Sequence, residues 1–391
     1  MNRPTRASKP AASPRSLRRG MALLITLVLV VLLAVLSTGA IMSSTVEFRE
    51  GRNSLVEQRA FAVAEYGLNA EIATWDRGRN LPPPAGMAIG AIDSMNVFVA
   101  QQDTAKVYIQ RLTTTAFLVR SVGRASIGSA QLESQRETQM LVRLAYPTIV
   151  PGGAIVTAGA LEVRGSAVVS GTNSQPVGWT QCPQLAGRDT FAISIAPGQS
   201  ASIQKPEMVI GGVYRDPAAG DSNTYVRFGT ESWNSLVANA DLKLPGGTYG
   251  PRPAGSSAQC LTSEALNWGE PWRSGASYTA GCRDYFPLIY IDGPTTISNG
   301  RGQGILLVNG DLRLTGNFEW YGLIIVRDDI VKGNGTFDLW GSAMAANTSV
   351  NDNNTFNGNS TFRYSTCAIE SALRASAILT RTRDRAWVQL Q

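Results

Sequence analysis

The chain has no histidine among its 391 residues. That absence excludes serine-histidine-aspartate and cysteine-histidine catalysis and every imidazole metal site, leaving an enzyme only carboxylate, lysine or unusual thiol chemistry. Cysteine is scarce: Cys182, Cys260, Cys282 and Cys367 lie far apart, with no CxxC pair to suggest zinc or redox exchange. Acidic residues are missing before Gly20, where Arg3, Arg6, Lys9, Arg15, Arg18 and Arg19 all fall. The +6 formal charge resides in that tail, because the other 29 basic residues face 29 acidic ones. A neutral remainder offers no ordinary nucleic-acid-binding face, so no nucleic acid partner is expected.

Charge is also absent from Met21 to Met42. As a helix these 22 residues reach roughly 33 Å, matching a hydrocarbon core of about 30 Å. The flanking arginines hold the amino end in the cytoplasm, so the expectation is a single pass through the inner membrane with everything after Met42 exported. A secretory signal cut after Ala40 is the alternative, since Thr38 and Ala40 are small; its apolar core exceeds the usual 7–15 residues. The next stretch, "TVEFREGRNSLVEQRAFAVAEYGLNAEIATW", keeps helical spacing, with Leu55, Phe61, Ala62, Tyr66, Leu68 and Ile72 set among charged residues, until Pro82 to Pro84. One helix of roughly 55 to 60 residues, apolar first and amphipathic after, is longer than an anchor needs.

Basic residues ending in Gly20, then Met21-Ala22-Leu23-Leu24, an apolar helix and "QRAFAVAEYGLNAE" resemble the amino-terminal region of PilX-type minor pilins, of the type IV pilin class, over about Arg18 to Ile72. The resemblance implies a prepilin peptidase that recognises Arg18 and Arg19, cuts between Gly20 and Met21 and methylates the new terminus. It also implies other pilins and minor pilins as partners through the helix. Most major pilins carry glutamate at the fifth mature position; here that residue is Ile25. A subunit lacking this carboxylate suits a tip or initiating place better than a repeating shaft, unless Ile25 simply faces lipid.

Between Met95 and Tyr146, "NVFVAQQ", "KVYIQRL", "AFLVRSVG" and "QMLVRLAY" alternate like strands and point to an antiparallel meander on the exposed half of the helix. Pro147 and Pro151-Gly152-Gly153 mark a boundary. Beyond it, Ile291-Asp292-Gly293, Val308-Asn309-Gly310, Val326-Arg327-Asp328 and Ala345-Ala346-Asn347 align at offsets of 17, 18 and 19. Phe318-Glu319-Trp320-Tyr321-Gly322 and Phe337-Asp338-Leu339-Trp340-Gly341 lie 19 apart, with Phe362-Arg363-Tyr364-Ser365 as a looser third. Such a period predicts stacked rungs of a parallel β-helix or β-roll. Gly152 to Gly171 reads as extra rungs or a cap, about 173–287 as an irregular insertion, and Ala368 to Leu379 as a helix capping the open end.

The expected fold is therefore α+β, with a basic leader at 1–20, a pilin-like helix at 21–80, a β meander at 81–150 and a β-helix-like lobe at 151–391. The expected function is a minor pilin-like structural subunit of a type IV pilus or related pseudopilus, acting in assembly or initiation. No catalysis, cofactor or metal is called for. A pilus-tip or surface adhesin binding glycan or protein through the carboxy-terminal lobe is the alternative. Other candidates have ordinary explanations. Asp328-Asp329 are the best carboxylates for a glycosidase but fall in a turn. Asn351 to Asn359 offers calcium one acid, Asp352, in an asparagine-rich loop. "GRGQG", Gly300 to Gly304, lacks a P-loop lysine. Trp179, Trp233, Trp268 and Trp272 suit either sugars or packing. "RTRDRAW" near the end reads as a solvated basic run. Four cysteines permit three disulfide pairings. Of these the expected one joins Cys260 to Cys282, which closes the short loop, and Cys182 to Cys367; a bridge of relaxed geometry stabilises by roughly 2–4 kcal/mol.

Overall fold

A single helix, α1, runs from Leu17 to Ala73 over 57 residues. The computed structural model describes residues 17–81, 86–100, 103–127, 132–179, 182, 188–256, 259–272, 281–348, 353–381 and 387–390, with backbone alone at 17–20, 127, 132, 353, 381 and 387–390. No proline interrupts α1, and its leucine, alanine, glutamate and arginine content favours helix. From Met21 to Leu55 every residue is exposed. The helix ends at Ala73, and the Asp76 carboxylate accepts from the Gly78 amide to start a 3-10 turn, Arg77–Asn80. Pro82 to Pro84, expected to end it, lie outside the described residues.

The second half of α1 packs on an antiparallel meander of β1 (Ile92–Ala100), β2 (Asp103–Arg111), β3 (Ala116–Ile127) and β4 (Leu132–Ala145). The buried stripe is Val56, Ala60, Val63, Ala64, Gly67, Leu68 and Glu71. Of the apolar residues picked out by helical spacing, Leu68 is buried; Leu55, Ala62 and Tyr66 are exposed, and Phe61 and Ile72 are half-buried. Steric fit explains which face is buried, because the helix backbone lies directly against the sheet. A Cβ on Gly123 would meet Ala60 O and Ala64 N at 2.3 Å, and one on Gly67 would meet Ala105 Cβ at 2.4 Å. Small side chains allow that approach, and Val107, Ile109, Phe117, Val119, Met140 and Val142 fill the core beside them.

After Pro151 the chain builds parallel rungs, and the strand-to-strand register reproduces the repeat read from the sequence. Ile291 pairs with Val308, Val308 with Val326, and Val326 with Ala345. Neighbouring rungs turn corners at glycines. Gly304, Gly322 and Gly341 are register partners with φ of 108°, 134° and 142°, and a Cβ on Gly322 would meet Gly304 O at 2.1 Å. Phe318 and Phe337 stack at 5.8 Å within the coil. The third aromatic rung is offset from the sequence alignment: Phe362 sits beside Leu339, and Ser360 beside Phe337. A shift of two residues keeps the same face inward.

Three features depart from the expected organisation. The ladder continues from Ala345 to Thr157, in the stretch read as extra rungs or a cap, and on from Thr157 to Ile195, so a rung inside the presumed insertion joins the stack. Strand Leu242–Pro245 likewise extends the other side, beside Leu288–Asp292. The chain's end leaves this lobe: Ile378–Arg381 and Trp387–Leu390 pair with β4, so the 151–391 boundary does not hold at its carboxy end. The helix before them, Thr366–Ala375, lies over the middle rungs, with Ala372 Cβ beside Gly322, where an end cap was expected.

Candidate functional site: the projecting helix

From Met21 to Met42 the exposed part of α1 is apolar on every side. Leu23, Ile25, Leu29, Leu33, Leu36 and Met42 lie in different directions around it, and all are at least half exposed. A helix with no polar face is suited to lipid or to a bundle of like helices. Its threonine hydroxyls are already satisfied: Thr26 donates to Leu23 O, Thr38 to Ala34 O and Thr45 to Met42 O, at 2.9, 2.7 and 2.8 Å. The first charge is Glu47, followed by Arg49, Glu50 and Arg52 in mixed sign. By length and composition this helix can cross a membrane. Arg18, Arg19 and Gly20 lie in its first turn, with their side chains outside the described set, and Met21 is exposed.

Ion pairs hold the buried half in one orientation. Arg59 binds Asp103 at 2.7 Å, and Glu57 accepts from Arg136 at 2.7 Å. At the helix end Arg79 binds Glu71 at 2.6 Å and Asp93 at 2.9 Å, and lies over Trp75. Glu71 is buried, and the loss of hydration raises its pKa above the usual glutamate value against the opposing pull of Arg79. Arg111, buried at the end of β2, donates to six backbone carbonyls, those of Arg79, Asn80, Leu81, Met87, Thr113 and Thr114. Burial lowers its pKa, and Arg374 adds to that shift. The strand alternation that places Val107 and Ile109 inward puts Arg111 inward too, a signal the sequence reading left unused. Arg77 then ties this junction to the parallel lobe by gripping both Asp241 oxygens at 2.7 and 2.8 Å, while Asp241 accepts from the Leu288 amide.

The other sequence candidates fall elsewhere. Cys182 bonds Cys367 and Cys260 bonds Cys282. The first bridge sits in an aromatic cluster with Trp179, Phe286 and Tyr321 beside Leu81, near the helix end. The second closes a loop in which Asn267 donates to both sulfurs, at 3.3 and 3.2 Å. Asp328-Asp329 lie in a rung turn, where Asp329 accepts from Asn347 at 2.6 Å. Asn347 has φ of 48° and forms a buried knot with Thr157 and Asn354. Asn351 and Asp352 are outside the described residues. Among the described residues no three histidine, cysteine, aspartate or glutamate side chains converge as metal ligands. "GRGQG" is the start of strand Gly300–Val308, not a loop. Trp179, Trp233 and Trp268 are buried, while Trp272 packs at the edge of the disulfide cluster. Of "RTRDRAW", residues 382–386 lie outside the described set.

No family model and no curated protein matches the chain. Among solved structures it is similar to the crystal structure of the competence-associated pilin ComZ from Thermus thermophilus, at 13% identity, covering 86% of this chain and 97% of that one, with a TM-score of 0.23. A score at that level does not establish a shared fold, and the α+β architecture rests on the elements described above.

Proposed function

We propose that this chain is a PilX-type minor pilin-like subunit of a type IV pilus or related secretion pseudopilus. In this reading it is a single-pass inner-membrane protein, anchored by α1, with its lobes exported. A prepilin peptidase removes residues 1–20, leaving Met21 as a methylated terminus. The subunit is then drawn from lipid into a bundle of sister helices, where it caps or initiates the filament. Its carboxy-terminal lobe is a short β-helix carried on the outside, and the chain catalyses nothing.

The observation that carries this reading is the division of α1 into two halves with opposite surroundings. One half is exposed and, as far as Met42, apolar all round; the other is held to the sheet by Ala60, Ala64, Gly67 and Leu68. Those four residues are the core of the "AFxxAEYGL" motif, so the motif has a physical meaning: it is the surface on which a globular domain rides the helix. Leu55 and Tyr66, left exposed on the other side, suit contact with a neighbouring subunit. Ile25 brings no carboxylate into an apolar bundle, where an unpaired charge costs a few kcal/mol, in keeping with a place at an end of the filament.

The test is to shear filaments from the cell surface and probe them for this chain, alongside a Gly20→Glu variant. The expected result is wild-type protein in the filament fraction and the variant retained, uncut, in the membrane. Absence of the wild-type chain from filaments, or entry of the uncut variant into them, contradicts the proposal.

A further inference from the structure

A cavity of about 590 Å³ opens on the flank of the parallel stack, where the short helix Trp233–Ala238 meets the corners of the rungs. Its size is that of a ligand site, which typically holds about 300–1,000 Å³. The repeat builds one wall. Because Val308 pairs with Val326, the residues that follow them, Asn309 and Arg327, come from adjacent rungs and stand side by side. The hairpin Arg227–Phe228 and Glu231–Ser232 builds the other wall and feeds directly into the helix. Phe228 and Trp233 are buried in the main core, so this wall is fixed.

The lining is basic: Arg227 and Arg327 both line this cavity, no acidic side chain lines it with them, and neither arginine pairs with a carboxylate among the described residues. The Arg327 guanidinium lies 5.6 Å over the buried Trp233 ring. That stacking presets its plane while leaving its N–H groups free to donate. Beside the cavity Asp292 accepts from Tyr290 and from Asn309, both at 2.9 Å, which steadies two lining residues. Ser232 and Asn234 add neutral hydrogen-bonding groups, and Val226 and Val237 add apolar surface.

We propose that this cavity binds an acidic saccharide, a glycan residue bearing a carboxylate such as a uronate or sialate. Two carboxylate-free arginines match one carboxylate, the amides and hydroxyls match sugar hydroxyls, and the valines and the indole edge match the apolar faces of a pyranose ring. The site stands apart from α1 and does not depend on filament assembly.

The full-length protein in detergent micelles, titrated calorimetrically with sialyllactose, a hyaluronan oligosaccharide, lactose and a short DNA duplex, tests this. Binding of at least one acidic sugar, no binding of lactose, and a loss of about tenfold or more in affinity for both Arg227→Gln and Arg327→Gln are expected. Arg313→Gln, at an exposed arginine on another ladder, is expected to bind like wild type. Silence toward both acidic sugars, equal binding of lactose, or DNA binding through the same two arginines overturns the proposal. Arg327→Gln protein is also expected in filaments at the wild-type level; its loss from them would overturn the assignment of Arg327 to a ligand, whatever becomes of the pilin reading.

Discussion

Single residues fix how closely the helix and the sheet approach. Gly123 has no room for a Cβ against Ala60 and Ala64, so Gly123→Val is expected to push α1 outward and destabilise the protein by about 1–3 kcal/mol, read as a lowered thermal midpoint in detergent. An unchanged midpoint would show that the helix does not rest there. Glu71 makes a prediction about pH. Its folded pKa is raised, so the folded state binds its proton more tightly than the unfolded chain does. Its contribution is fully present below the unfolded glutamate pKa and is lost as pH rises through the folded value. The stability of wild type relative to Glu71→Gln is therefore expected to grow from pH 7 to pH 4 in paired denaturant titrations; a gap that is constant, or that shrinks, contradicts the burial of this carboxyl. Arg111 was hidden in the sequence for a definable reason: an arginine at a strand end ordinarily reaches solvent, and four of its six carbonyl partners, those of Arg79, Asn80, Leu81 and Met87, come from a segment that meets it only in the fold.

At the scale of elements, what was legible depended on whether the pattern was local. Helix α1, the four strands of the meander and the rung offsets of 17 to 19 residues all follow from periodicity within short windows. The stacking of Thr157 on Ala345 and the return of the last strands to β4 join residues far apart in the chain, and no local pattern encodes such pairing. Helical spacing alone did not say which face of α1 is buried, because the sheet selects small residues such as Ala60, Ala64 and Gly67 and leaves bulky Leu55 and Tyr66 exposed. Glycine corners are the elements' weak points. Gly322→Ala is expected to cost about 1–3 kcal/mol, since the new Cβ would meet Gly304 O and the backbone has φ of 134°. Chemical denaturation reads this directly, and a neutral result would mean the rung can relax without loss. Removing the Cys260–Cys282 bridge by paired serine substitution is expected to cost roughly 2–4 kcal/mol, seen as a lower thermal midpoint that reductant no longer changes at this bridge.

At the scale of the molecule, the junction around Arg77, Arg79 and Arg111 joins three bodies: the projecting helix, the meander and the parallel stack. The amino-terminal rod and the carboxy-terminal stack are thereby held in one unit, and the chain's last strands return to the sheet that grips the rod. A force or docking event on the helix is transmitted to the stack through these contacts rather than through a loose linker. The arrangement suits a subunit that is inserted by its stem and displays its lobe, and the proposed role requires that one cut free the stem and leave it in place. Mass spectrometry of the amino-terminal peptide of the protein purified from cells tests this. A mature chain that begins at Met21 with its apolar helix intact is expected; a chain that begins at Ile41, or one that still carries Met1, overturns the proposed role.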